Sequence, residues 1–147
     1  MALKHNFQEA LVQLNDDLED YSGDKRKLVR ILGLELFRRL VGRSPVDSGF
    51  YRSSHDLTLD AESTFVQSRA GLSEGGEREA ATQANKAGRQ LDRIKGDDVT
   101  RDIFLSNNAP YAGRLENGHS KQAPQGIYAV VADEFDSIAA RAIRTIF

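Results

Sequence analysis

Apolar and polar positions along this chain follow two periods, a helical one of three to four residues and a strand one of two. Phe7, Leu11, Leu14 and Leu18 recur at spacings of four, three and four, which predicts an amphipathic helix with Glu9, Gln13, Asp16 and Asp17 on its wet side. Tyr21-Ser22-Gly23-Asp24 predicts a break, with Ser22 or Asp24 as the cap of a second helix over Lys25–Val41. Leu28, Ile31, Leu32, Glu35 and Arg39 trace one line down that helix, and Leu34, Phe37, Leu40 and Val41 trace another. So wide an apolar arc predicts deeper burial than for the first helix. Arg38 and Arg39 complement its C-terminal dipole, and Gly42 is expected to end it.

From Ser44 to Ser54 the period is lost. Pro45 fixes its own φ and extends Ser44, Asp47 and Ser48 can bond nearby backbone, and Gly49 permits a positive φ. His55–Asp60 alternates polar and apolar, a strand pattern, and Thr64-Phe65-Val66 is expected to pair with it. Gly71-Leu72-Ser73-Glu74-Gly75-Gly76 reads as a hinge or mobile loop. A helix over 77–95 follows, with Ala80, Ala84, Ala87, Leu91 and Ile94 inside. That stripe is weak, which predicts a helix that moves or packs on a partner subunit. Asp102–Ser106 reads as a central strand ending at Asn107-Asn108. Pro110 suits the first turn of a short helix and Asn117-Gly118 its end. Lys121–Gln125 is loop. Ile127, Val131, Phe135, Ile138 and Ala142 form a last helical stripe; Ile127–Val131 alone also fits a strand. The expected fold class is α+β: long N-terminal helices, a small mostly antiparallel sheet, a middle helix and a C-terminal helix in one domain spanning 1–147.

Composition narrows the function classes. The chain has 147 residues, enough for one domain that buries roughly two-thirds of its unfolded surface. Apolar residues make up 39% and charged residues 29%, and no apolar run reaches the ~18 residues of a membrane span. Residues 1–6 lack the apolar core of a signal peptide, and the absence of cysteine removes disulfides and thiolate metal sites, so cytosolic synthesis is expected. A net charge of −2 with interspersed signs argues against tight, salt-sensitive duplex binding.

Candidate chemistry is sparse. His5, His55 and His119 stand at no metal-pair spacing from one another. His5 is expected at a fraying terminus, and His55 in a surface or capping role. His119-Ser120 beside Glu116 invites a hydrolase reading, but Gly118–Gln122 does not form the G-x-S-x-G elbow a nucleophilic serine requires. Gly71–Gly76 lacks the Gly-Lys-Ser/Thr ending of a phosphate loop. Asp133, Glu134 and Asp136 are expected to face solvent, because EF-hand spacing is absent. No cofactor is expected.

Two segments are distinctive: Ser44–Ser54, containing Pro45-Val46-Asp47-Ser48-Gly49, and Ser106–Pro124, containing Asn107-Asn108-Ala109-Pro110-Tyr111-Ala112-Gly113-Arg114-Leu115-Glu116-Asn117-Gly118. Together they resemble the pattern of tailed-bacteriophage neck and tail-completion proteins of the minor tail protein Z-like group. There a P-V-D-[ST]-G turn and a strand precede N-x-x-P-Y-A-x-x-L-E-x-G. The order of elements agrees over nearly the whole chain, apart from the polar, Ala-rich stretch between Arg69 and Arg101. The resemblance implies a ring-forming virion component at the head–tail junction, assembled in the host cytoplasm, with six or twelve copies. Its partners would be neighbouring neck, head-closure, tail terminator or tail tube proteins. DNA would pass through its channel without sequence-specific binding, and no membrane would be involved. The family is not known for catalysis.

Within these motifs Pro45, Val46, Asp47, Gly49, Asn107, Pro110, Tyr111 and Gly118 are the expected structural turn residues. Tyr111 and Leu115, four apart, share a helix face expected to pack on the core. Glu116, His119, Lys121, Gln122 and Pro124 are expected to project beyond it as candidate subunit or partner contacts; folding of the motif's own loop is the equal alternative. The weak alanine stripe of the middle helix is a candidate for the second surface that a head-to-tail ring needs. The near rival is a tail terminator protein, and the distant rival a small hydrolase using His119 and Ser120.

Overall fold

The computed structural model describes residues 2–5, 22–95 and 101–146. The helix expected over Phe7–Leu18 lies outside them. Strand β1 spans Ala2–His5 and helix α1 spans Ser22–Arg43. A 3-10 turn at Arg52–Ser54 leads into β2, His55–Leu59. A second 3-10 turn, Glu74–Gly76, opens α2, Glu77–Leu91. Strand β3 is Ile103–Asn107, and short α3 is Ala112–Glu116. Helices α4, Tyr128–Asp133, and α5, Phe135–Ile146, follow. The fold is α+β, with an antiparallel sheet in the order β1-β3-β2.

Strand β3 is central, as its unbroken apolar start suggests, and every residue in it is buried. Its register sets Leu105 opposite Leu3 and Leu57, and Ile103 opposite His5 and Leu59. His5 therefore lies in a paired edge strand and not at a frayed end. Four residues are too few for alternation to reveal a strand beside a stronger helical signal.

The helices pack on the face carrying Leu57, Leu59, Ile103 and Leu105. Helix α1 buries Leu28, Val29, Leu32, Leu36, Phe37 and Leu40 in one cluster with Leu91 of α2, Val131 of α4 and Ile138 of α5. Each such side chain contributes about 1.5–3 kcal/mol on full burial. Helix α1 continues through Gly42 to Arg43, because the ordered turn that follows, with Ser44 N–H on the Val41 carbonyl at 3.2 Å, needs no glycine terminator.

Three further expectations change. The stripe of α2 packs within its own chain, against α1 and β2, burying Ala80, Gln83, Ala87, Gly88 and Leu91. It is thus taken up largely by the fold of its own chain. Gly33 in α1 faces Leu91 at close range: a Cβ there would lie 2.8 Å from Leu91 Cδ1, so a larger residue would make Leu91 shift. Thr64-Phe65-Val66 forms no strand. Asn108 Nδ2 donates to the carbonyls of Ser63 at 2.7 Å and Phe65 at 3.4 Å, so side chains hold this segment without a ladder. The C-terminal helical segment is divided at Glu134. That residue does not face solvent freely: Arg39 donates to it at 2.7 Å, and Arg43 also pairs with it, fastening α1 to the α4–α5 junction.

Candidate functional site

The two distinctive segments, far apart in sequence, meet on one side of the molecule. Asn107 ends β3 fully buried. Its Oδ1 accepts from Ala109 N–H at 3.1 Å, making a local turn, and its Nδ2 donates to the Tyr51 carbonyl at 2.8 Å. Pro110 is exposed at the turn that follows. Tyr111 is half-buried against Phe50 and Tyr51, with ring centroids 6.0 and 6.3 Å apart. The Arg69 guanidinium covers the Phe50 ring at 3.8 Å. Burial raises the Tyr111 hydroxyl above its usual range. Tyr111 and Leu115 both pack on the core cluster, as their spacing predicts.

Helix α3 closes as Asn117-Gly118 suggests. Gly118, at φ 84°, donates to the Leu115 carbonyl, and His119 N–H donates to the Arg114 carbonyl, a Schellman end. Glu116 does not project outward. Its carboxylate turns back and accepts from the backbone N–H groups of Ile127 at 2.8 Å, Tyr128 at 2.7 Å and Ala129 at 3.3 Å. It caps α4 from eleven residues upstream, satisfying donors that a helix start leaves open. Gly126, at φ 86°, makes room, since a Cβ there would lie 2.7 Å from the Glu116 carbonyl oxygen.

Gln122 is exposed yet engaged. Its Oε1 accepts from Val46 N–H at 2.9 Å, and its Nε2 donates to the Val46 carbonyl at 3.3 Å. This clasp joins the Pro45–Gly49 turn to the loop after α3. A cleft of about 370 Å³ opens beside it, lined by Pro45, Asp47, Ser48, Tyr111, Leu115, His119, Ser120 and Lys121, among others. A second, of about 490 Å³, lies along Gly42–Ser44 and Ala123–Gly126. Asp47, His119, Lys121 and Pro124 are exposed at these margins. Of the five expected contact residues, the fold leaves His119, Lys121 and Pro124 outward, turns Glu116 inward, and keeps Gln122 exposed but bonded to Val46.

Gly49 shows how tightly the first motif is held. At φ 88° its Cα packs on the Glu74–Gly76 turn, and a Cβ would lie 2.1 Å from the Gly76 nitrogen. Gly75 and Gly76 take φ 61° and 66°. The Gly71–Gly76 stretch, expected as a hinge, provides the backbone against which Gly49 rests.

A buried polar group lies behind the cleft. His55 is 1% exposed, against the expectation of a surface role. It shares the inward face of β2 with Leu57 and Leu59. Ser44 Oγ lies 2.6 Å from both the Leu40 carbonyl and His55 Nε2. His55 Nδ1 lies 2.8 Å from Tyr128 Oη and 3.3 Å from Asn107 Nδ2. One proton arrangement satisfies every contact. Ser44 donates to Leu40, His55 Nε2–H donates to Ser44, and Nδ1 accepts from Tyr128 and Asn107. Desolvation lowers the imidazole pKa to about 3, so it is neutral at pH 7. In this polarity the histidine gives a proton to the serine, the reverse of what activating a nucleophile requires. Ser120 Oγ accepts from Gln122 N–H at 3.2 Å, within its own loop.

Among the described residues no group of three or more His, Asp or Glu side chains is placed to hold a metal ion, and no helix is long and apolar enough to cross a membrane. Comparison of the chain with protein-family models, with curated proteins and with solved structures finds no match.

Proposed function

We propose that this chain is a structural subunit of a tailed-phage neck, joining head to tail or completing the tail as a member of a ring of six or twelve copies. The reading rests on the resemblance carried by Pro45–Gly49 and Asn107–Gly118. One observation gives it physical support: the two segments converge on a single cleft and are clasped there by Gln122 and Val46. Conformationally fixed loops suit a joint, because contacts made by ordered side chains lose less entropy on assembly. His119, Lys121, Pro124 and Asp47 are among the side chains at the cleft margins that remain outward for a neighbouring subunit or a neck, head-closure, tail terminator or tail tube protein.

In this reading the protein acts without catalysis or cofactor, and DNA passes through the ring without sequence-specific binding. The inaccessible Ser44–His55 pair, with its reversed polarity, supports a structural role for the one Ser–His hydrogen bond among the described residues.

A cryo-EM map of the virion provides the test. The expected result is the chain at the head–tail junction, in six or twelve copies, with the cleft margin at a protein contact. Finding it at the end of the tail tube would favour a tail terminator, and its absence from the virion would sink both. A His119→Ala/Lys121→Ala phage is expected to make folded protein but to join heads and tails poorly. Normal joining would remove the cleft margin from the proposal.

A further inference from the structure

The charges that look interspersed in sequence are sorted in space. Helices α1 and α2 enclose a groove of about 430 Å³, walled by Arg30 and Arg38 on one side and Arg89 on the other. Its floor includes Leu34, Phe37 and Gly88. Asp92 is the one acidic side chain lining it, and Arg30 already binds it at 2.7 Å. The Asp92 carboxylate is held below its usual pKa chiefly by that Arg30 bond, with Arg26 and Lys95 also acting on it, so cationic groups surround it. Arg38 and Arg89 are exposed, and neither forms an ion pair among the described residues.

We infer that the α1–α2 groove is a contact surface for the phosphate backbone of duplex DNA, engaged weakly and without regard to sequence. Three features choose this occupant. The first is charge: three guanidinium groups, whose planar forks suit phosphate oxygens, stand against one carboxylate. The second is spacing. Arg30 and Arg38 are eight residues apart, about 12 Å along the helix axis, close to the ~12 Å width of the major groove of the duplex. The third is the lack of an apolar anchor. Protein interfaces are built around aromatic or aliphatic groups that stand out to be buried, but on this floor Phe37 is fully buried and Leu34 half-buried, and the exposed large apolar side chains among the described residues, Val46 and Val66, lie elsewhere. Phosphate contact needs no such anchor. A net charge of −2 does not oppose this, since the local charge governs contact within a Debye length of about 8–10 Å.

The inference rests on the groove itself and goes beyond the neck reading, so its test needs no virion. Fluorescence anisotropy of a labelled duplex of about 20 base pairs would be measured with the full chain at about 20 mM and 150 mM salt. Binding is expected at low salt, equal for two unrelated sequences, and much weaker at the higher salt. Arg38→Glu/Arg89→Glu is expected to weaken low-salt binding at least about tenfold and to reduce the salt slope by about 2. Arg141→Glu/Arg144→Glu, on exposed positions of α5, changes the net charge equally and is expected to stay within about twofold of the parent. Circular dichroism would verify that both variants fold. The inference is overturned by no binding at low salt, by sequence preference, or by equal loss in the α5 variant. Displacement of the duplex by polyglutamate at equal charge concentration would also overturn it, in favour of an acidic protein partner.

Discussion

The cleft around Tyr111 and the groove between α1 and α2 use their polar side chains in opposite ways. Around the cleft, Glu116, Gln122 and Asn107 each bond to backbone of their own chain, and Asn107 to the His55 ring as well. In the groove, Arg38 and Arg89 are exposed and carry no ion pair among the described residues. A distinctive sequence motif can therefore encode a shape, with only its margin left for partners. A surface that no motif announces can hold the side chains free to meet one. Substitutions in the cleft should cost stability, and those in the groove should cost almost none.

The largest effect is expected at the crossing of the Gly49 and Gly76 backbones. Gly49→Ala places a methyl group where the Gly76 nitrogen lies and forces a side chain into a positive φ, so a loss of about 3 kcal/mol or more is expected in denaturant unfolding. A loss below about 1 kcal/mol would show that the first motif is less constrained than the comparison requires. Next is Glu116→Ala, which strips three backbone donors of their acceptor and should cost about 2 kcal/mol. Glu116→Gln, which keeps an acceptor, should cost roughly half of that. Equal costs would mean that charge at the α4 start outweighs the bonds.

Acid titration probes the buried group behind the cleft. The folded-state pKa of His55 is lowered to about 3, while the unfolded chain titrates near 6.5. Between these values the unfolded state binds more protons. The stability this group contributes is full above pH 6.5 and is lost as pH falls toward 3. Between about pH 6 and 5 the loss should approach 1.4 kcal/mol per pH unit, before most carboxylates titrate. A His55→Leu variant should lose most of that slope, and an unchanged slope would refute the assignment. The smallest effects are expected at the surface. Gln122→Ala should cost under about 1 kcal/mol yet speed hydrogen exchange at the Val46 amide, whose bond it removes. Arg38→Ala and Arg89→Ala should each stay within about 0.5 kcal/mol of the parent.

Much of the architecture was legible because it follows from period and punctuation. Helix α1, strand β2, central β3, the Gly118 end of α3 and the helical C-terminus lie where apolar spacing and turn residues put them. What sequence reading missed depends on contacts between distant segments. Glu116 looks like an outward carboxylate until Ile127–Ala129 is seen to begin a helix beneath it. Gly75 and Gly76 look like a hinge until Gly49 is found resting on them. The His55 error was avoidable, since its alternation with Leu57 and Leu59 already assigns it to the inner face. The basic groove was not readable, because Arg30, Arg38 and Arg89 come together only when α2 packs on α1.

The order of the sheet carries a consequence for synthesis. The central strand is made after both of its neighbours, and Ala2 pairs with Ser106, about a hundred residues later. Until Ile103–Asn107 leaves the ribosome, neither β1 nor β2 has the partner it pairs with in the finished sheet. The nascent chain can form α1 and α2 by local contacts, but the sheet closes late, over a large sequence separation. A translational pause or truncation before residue 107 would leave exposed strand edges that invite association between chains.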